Sequence, residues 1–74
     1  MVLEGPGGRI AGVEVKASAT VSASDFSGLH ALAEIAGRKF ACGVLLHDGD
    51  AAVPFGERMI AAPVSALWEP VRNS

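Results

Sequence analysis

Glu14 and Lys16 are the residues of this chain whose types and spacing could perform chemistry together. They flank Val15 in an apolar segment, and residues two apart on a strand point to the same side of its sheet. A carboxylate and an ammonium held side by side can bind a divalent cation and orient a water molecule for attack. The same two residues can also form an exposed ion pair of small energetic value. The spacing alone leaves both interpretations open.

The remaining polar residues offer weaker candidates. His30 is predicted to lie on the polar side of a helix and His47 at the start of a turn, so both are expected at the surface. Asp48 and Asp50 fit a hairpin turn better than a calcium loop, because the EF-hand pattern is absent.

The hydroxyl, thiol and indole groups are assigned structural roles. Ser22, Ser24 and Ser27 lack the context of a catalytic nucleophile and are predicted to cap and link elements. Cys42, the single cysteine, lies in an apolar run and is expected to be buried and inert. One cysteine and two distant histidines do not make a zinc site. Trp68 is predicted to cover the core rather than to stack on a base.

The strand that carries Glu14 and Lys16 is predicted to follow a tight turn. Val2–Glu4 reads as a short strand, and the Pro- and Gly-rich residues 5–8 read as a turn. Residues 9–18 then return as the second strand of an antiparallel hairpin. Alternation along that strand places Glu14 with Gly12 on one face of the sheet.

A helix and a buried strand are predicted next. Ser22 or Ser24 can cap the helix, Asp25 lies in its first turn, and Gly37 ends it. Residues at helical spacing form one apolar face: Phe26, Leu29, Leu32, Ala33, Ile35 and Ala36. The continuous apolar run at 40–46 is typical of a strand buried on both faces.

The last third of the chain alternates turns and short strands. Residues 47–50 are predicted to form a hairpin turn into a strand at 51–55, which Pro54 confines to an edge. A turn at 56–58, a strand at 59–62 and a short helix from Pro63 to Trp68 follow, and residues 69–74 read as a frayed tail. The order β-β-α-β-β-β predicts an α+β fold, with a mixed sheet of about five strands and one main helix on one face. The strand–helix–strand unit from 9 to 46 is expected to be a right-handed parallel crossover.

Length, composition and charge limit the size of the core and the kinds of partner that can be expected. Seventy-four residues make one small domain, and thirteen of them are alanine, so the predicted core is thin. A thin core favours association with other copies, and we expect a homo-oligomer. The net charge of −2 disfavours strong capture of nucleic acid. No signal peptide or membrane span is recognised, so a cytoplasmic location without a membrane partner is expected.

Several motifs resemble one family. VEVKAS at 13–18 and DFSGL at 25–29 are followed by GVLLHDGD at 43–50, VPFG at 53–56 and VSALW at 64–68. Together they resemble the carboxy-terminal domain of unknown function of predicted prokaryotic AAA-type ATPases. The hairpin leading into Glu-x-Lys, then a helix and a buried strand, also resembles the PD-(D/E)xK, or restriction-endonuclease-like, core. The resemblance extends from Val2 to about Trp68.

The resemblance implies a longer parent protein. An ATPase domain would precede this one, and the chain would be a fragment truncated at its amino terminus. In the family an Asp usually opens the strand before the turn, and that Asp would lie just ahead of Met1. Strand pairing across the turn agrees with that position of the Asp. If Glu4 pairs with Arg9 or Ile10, the residue numbers of each pair sum to 13 or 14, and the partner of Glu14 falls zero to two places before Met1. Glu4 is predicted to lie too far along the strand to replace it.

Two functions are therefore predicted. In the first, the fragment is non-catalytic, needs no cofactor, and acts as an interaction or oligomerisation module that docks on the parent ATPase domain, on a partner protein or on a second copy. In the second, the parent is a metal-dependent DNA nuclease or DNA-binding domain, in which Glu14 would bind Mg²⁺ and Lys16 would assist catalysis. The apolar composition and acidic balance favour the first.

Overall fold

The structure, a computed structural model, describes residues 1–67. Within this range the chain forms one main helix, α1 (Ser27–Ala36), and five strands: β1 (Val2–Glu4), β2 (Ile10–Val15), β3 (Phe40–His47), β4 (Val53–Pro54) and β5 (Met59–Pro63). A short 3-10 segment, Val64–Leu67, follows β5, where a short helix was predicted. Trp68 and the predicted tail at 69–74 lie outside the described residues.

The strands form one mixed sheet in the order β1-β2-β3-β5-β4. β2, β3 and β5 run parallel to one another, whereas β1 and β4 pair antiparallel at the two edges. The predicted α+β fold, with a mixed sheet of about five strands and one main helix, is confirmed.

The first hairpin forms as predicted. Val2 pairs with Gly12 and Glu4 with Ile10, so paired positions sum to 14. Gly7 and Gly8 have φ angles of 74° and 76° in the connecting turn, a region that favours glycine. The Lys39 ammonium donates a hydrogen bond of 3.1 Å to the Gly7 carbonyl and ties this turn to the start of β3.

The main helix also follows the prediction, with one exception. A 3-10 turn at Ala23–Phe26 precedes α1, and Gly37 ends it with a φ of 57° while donating its N–H to the Ala33 carbonyl. The expected apolar face packs on the sheet, except that Ile35 is 85% exposed. Its place in the predicted apolar stripe was wrong, because at about 100° per residue Ile35 points well away from the side of α1 that packs on β2 and β3.

The second predicted hairpin was wrong. Residues 47–50 do not join two paired strands, because β3 pairs with β5 in parallel and β4 pairs with the far side of β5. The eight-residue apolar strand β3 takes the central position, where it bonds to a parallel neighbour on each side. Pro54 lacks an N–H donor and sits in the edge strand β4, as predicted.

The core lies on the helix side of the sheet. Its buried members are Phe26, Leu29, Phe40, Leu45, Met59 and Ala61. Phe26 is fully buried, and its ring stacks on that of Phe55 with centroids 4.9 Å apart. The prediction that β3 is buried on both faces was therefore only half right, since α1 covers one face alone.

Candidate functional site

Glu14 lies near the carboxyl end of β2, on the helix side of the sheet. Its carboxylate sits over the first turn of α1, where a Cβ added to Gly28 would lie 3.1 Å from Glu14 Oε1. A glycine at this position therefore leaves the space that the carboxylate occupies. The positive end of the helix dipole also favours a negative charge here. Glu14 is exposed to solvent, which keeps it accessible to a ligand.

Lys16 does not pair with Glu14. Its Nζ donates to Asp25 Oδ2 at 2.5 Å, and this is the one ion pair within residues 1–67. The interpretation of Glu14 and Lys16 as a mutual strand-face ion pair was therefore wrong. The loop between β2 and α1 folds back over the end of β2. This brings the Asp25 carboxylate, rather than that of Glu14, into contact with the Lys16 ammonium.

Asp25 organises the start of the helical segment. Its Oδ2 also accepts the Ser22 backbone N–H at 2.8 Å, and the Asp25 N–H donates to the Ser22 carbonyl at 3.0 Å. Ser22 therefore caps the 3-10 turn at Ala23–Phe26, whereas α1 itself begins after Phe26 without a side-chain cap. The hydrogen bond from Lys16 and then that from the Ser22 backbone lower the pKa of Asp25 below its usual 3.8. Asp25, which sequence reasoning placed only as a first-turn acid, is the residue that holds Lys16.

Asp25 gives the fold a defined dependence on acid. Because its pKa is lower in the folded than in the unfolded state, ionised Asp25 stabilises the fold above pH 3.8, and this contribution is lost as the pH falls further. We expect Asp25→Asn to flatten the fall in denaturation midpoint between pH 5 and pH 2.5 relative to the parent chain. Urea denaturation followed by circular dichroism measures this slope.

Lys16→Met is the matched variant for that measurement. It removes the hydrogen bond that lowers the pKa of Asp25 most, while leaving Asp25 in place. The denaturation midpoint should therefore fall less over the same pH range. Parallel pH profiles for the parent chain and both variants would contradict the role assigned to the ion pair.

The observed hairpin register fixes what can lie opposite Glu14. Val13 and Met1 exchange backbone hydrogen bonds of 2.8 and 2.7 Å, so the pairing continues to the first residue. Continued by one residue, this register would put a position directly before Met1 opposite Glu14. Glu4 pairs with Ile10, about 14 Å along the strand from Glu14, and cannot share an ion with it. No group of three or more metal-ligating side chains occurs among residues 1–67.

The two histidines have opposite surroundings. His30 is exposed on α1, as predicted. His47 is only 4% exposed, so its predicted surface position was wrong. The Gly49 N–H donates to His47 Nδ1 at 2.9 Å, which leaves Nε2 to donate to the Ala51 carbonyl at 3.0 Å. These bonds satisfy both ring nitrogens and fold the chain back after β3, so His47 has a structural role.

The sheet face opposite α1 carries none of the candidate residues described above except Cys42. We call it the open face. Register and alternation assign eleven residues to it: Met1, Leu3, Ala11, Val13, Val15, Cys42, Val44, Leu46, Pro54, Ile60 and Ala62. All of them are apolar, and none belongs to the buried core. Within residues 1–67 this face has no second layer of structure comparable to α1.

Exposure varies across the open face. Met1 and Val15 are 74% and 70% exposed at its margins, whereas Leu46 in the central strand is 9% exposed. Cys42 is half-buried, so the prediction of a buried thiol was wrong. Alternation in β2, with Ala11, Val13 and Val15 opposite Gly12 and Glu14, is the sequence signal for this face.

Comparison with known proteins finds one family. The model of a domain of unknown function, DUF4143, matches residues 1–67. None of the curated proteins and none of the solved structures matches the chain. Over the described range, no helix has the length and apolar character needed to cross a membrane.

Proposed function

This chain belongs to the DUF4143 family of domains of unknown function, and we propose that it is a non-catalytic interaction module that associates through its open face. The proposal rests on one observation, an uncharged sheet face without a second layer among residues 1–67. The VEVKAS and DFSGL motifs support a setting at the carboxy-terminal end of a cytoplasmic AAA-type ATPase.

The size of the open face supports association. With strands about 4.8 Å apart and a rise of about 3.3 Å per residue, the strand residues cover roughly 400 Å². This area is within the roughly 300–600 Å² of the largest apolar patch on a typical monomer, and such patches are often contact sites. A small domain also buries a limited share of its surface on folding, so a second layer adds stabilising apolar contact.

A second copy of this chain is the partner that fits best. The open face carries no charge, so two identical faces meet without repulsion between like charges. Stacked about 10 Å apart, two sheets would form a four-layer assembly with a helix on each outer side. A two-fold axis would then make the contact self-complementary.

Ile60→Glu tests this proposal. Ile60 is 37% exposed on the open face, and a carboxylate there would be desolvated when two copies pack. A buried unpaired charge costs about 3 kcal/mol or more, so we expect dimer affinity to fall at least about 100-fold. Sedimentation velocity over a range of concentrations measures this change.

Ile35→Glu is the matched control, because the same substitution falls on the exposed outer side of α1. It should leave association unchanged, and circular dichroism should show both variants folded. A parent chain that stays monomeric at millimolar concentration would refute the second-copy partner. Equal association of the two variants would refute the open face as the contact.

A second candidate function is metal-dependent cleavage of DNA in a longer protein. The hairpin register favours it, because a residue directly before Met1 would lie opposite Glu14 with Cβ atoms about 5 Å apart. An Asp there would supply the second carboxylate that a Mg²⁺ site needs. Lys16 would have to leave Asp25 to reach a substrate, which is why this function ranks second.

The cleavage assay uses a chain extended by an Asp before Met1. Cleavage of DNA should require Mg²⁺ or Mn²⁺ and should be lost in Lys16→Ala. Metal-independent cleavage, or equal cleavage by the Lys16→Ala variant, would exclude this function.

A further inference from the structure

A pocket lies on the helix side of the sheet, separate from the open face. It has a volume of about 360 Å³, which falls in the range of small-molecule sites. Val53 and Ala61 line it from β4 and β5, Val21 from the loop before α1, and Phe55 from the end of the edge strand. α1 packs mainly on β2 and β3, so it leaves this part of the sheet uncovered.

Two titratable residues line the pocket, and they differ in what they can offer. His47 is buried and has both ring nitrogens in hydrogen bonds, so it contributes the surface of its ring. Asp50 forms no hydrogen bond or ion pair with any side chain of residues 1–67. Among residues 1–67 no Lys or Arg lines the pocket, so Asp50 provides the only unpaired charge in the described part of its lining.

We propose that this pocket binds a small apolar molecule that carries one positive charge. The hydrocarbon part would contact Val53, Phe55 and Ala61, and the cation would lie beside Asp50. His47, the last residue of β3, and Asp50, three residues further on, place the polar side of the pocket at the carboxyl end of β3. The selectivity arises from charge complementarity, because apolar walls alone would accept anions and neutral molecules equally.

Matched six-carbon probes test the proposal. Hexylammonium, hexanol and hexanoate share a hydrocarbon chain and differ in charge, and amide chemical-shift titration of the full chain gives both affinity and location. Hexylammonium should bind about threefold to fivefold more tightly than hexanol and hexanoate, the upper part of the range that an ion pair with an exposed carboxylate supplies. The shifts should centre on Val53, Phe55 and Ala61.

Asp50→Asn and Asp48→Asn form the variant pair. Asp50→Asn should remove the preference for hexylammonium, whereas Asp48→Asn, which alters a neighbouring exposed acid outside the pocket, should retain it. Equal binding of the three probes, shifts centred elsewhere, absence of binding, or an unchanged preference in Asp50→Asn would each overturn the proposal.

Discussion

Phe26→Ala is expected to destabilise the domain by about 3–5 kcal/mol, the usual cost of removing a buried aromatic side chain. Phe26 is fully buried, contacts the core beneath α1, and stacks on Phe55. Its removal would open a cavity between the helical segment and the sheet. Because native domains are stable by only about 5–15 kcal/mol, a domain of this size should lose most of its stability.

Thermal and urea denaturation followed by circular dichroism measure this loss. Ile35→Ala is the control, because Ile35 is 85% exposed and its truncation should change stability by less than about 0.5 kcal/mol. Equal stability of the two variants would mean that the Phe26 side chain does not occupy the core as described.

Gly12→Ala is expected to cost about 1–3 kcal/mol, because it overpacks the contact between α1 and β2. A Cβ on Gly12 would lie 2.7 Å from Leu29 Cδ2 and 2.7 Å from Leu32 Cδ2, well inside van der Waals contact. Both atoms are the ends of leucine side chains packed between the helix and the sheet, so these side chains would have to take other positions in the core or push the helix away from the strand. A glycine two residues before Glu14 is therefore needed for close helix packing.

Gly5→Ala is the matched control for Gly12→Ala. A Cβ on Gly5 would meet no atom within 4 Å, and its φ of −113° suits any residue. This substitution should be neutral or slightly stabilising, because alanine restricts the unfolded chain more than glycine does. If Gly12→Ala were as stable as Gly5→Ala, the helix would not pack on β2 at the observed distance.

The elements that could be predicted from the sequence are those with a strong local signal. The Pro- and Gly-rich turn indicated the first hairpin and limited its register to two alternatives, of which one is observed, and apolar residues at helical spacing located α1. Pairing in the second half of the sheet could not be read in this way. Asp48 and Gly49 are a strong local signal for a hairpin turn. The structure instead pairs β3 with β5, which gives β3 a hydrogen-bonded neighbour on each side in the centre of the sheet.

The candidate site was predictable in part. Alternation along β2 correctly placed Glu14 and Gly12 on the same face of the sheet, and the structure shows that α1 covers this face. The Lys16–Asp25 pair depends on how the loop between them folds, and the local pattern holds no signal for that contact. His47 was assigned to the surface because it begins a predicted turn, but backbone partners on either side of its ring allow it to be buried.

The reactivity of Cys42 is the most direct test of the open face as a self-association surface. Cys42 is the only cysteine, and it lies half-buried on that face. We predict that its rate of alkylation by iodoacetamide falls as the protein concentration rises through the association range, and that Ile60→Glu removes this dependence. A rate that is the same at all concentrations, in a sample that sedimentation shows to be associated, would contradict the account.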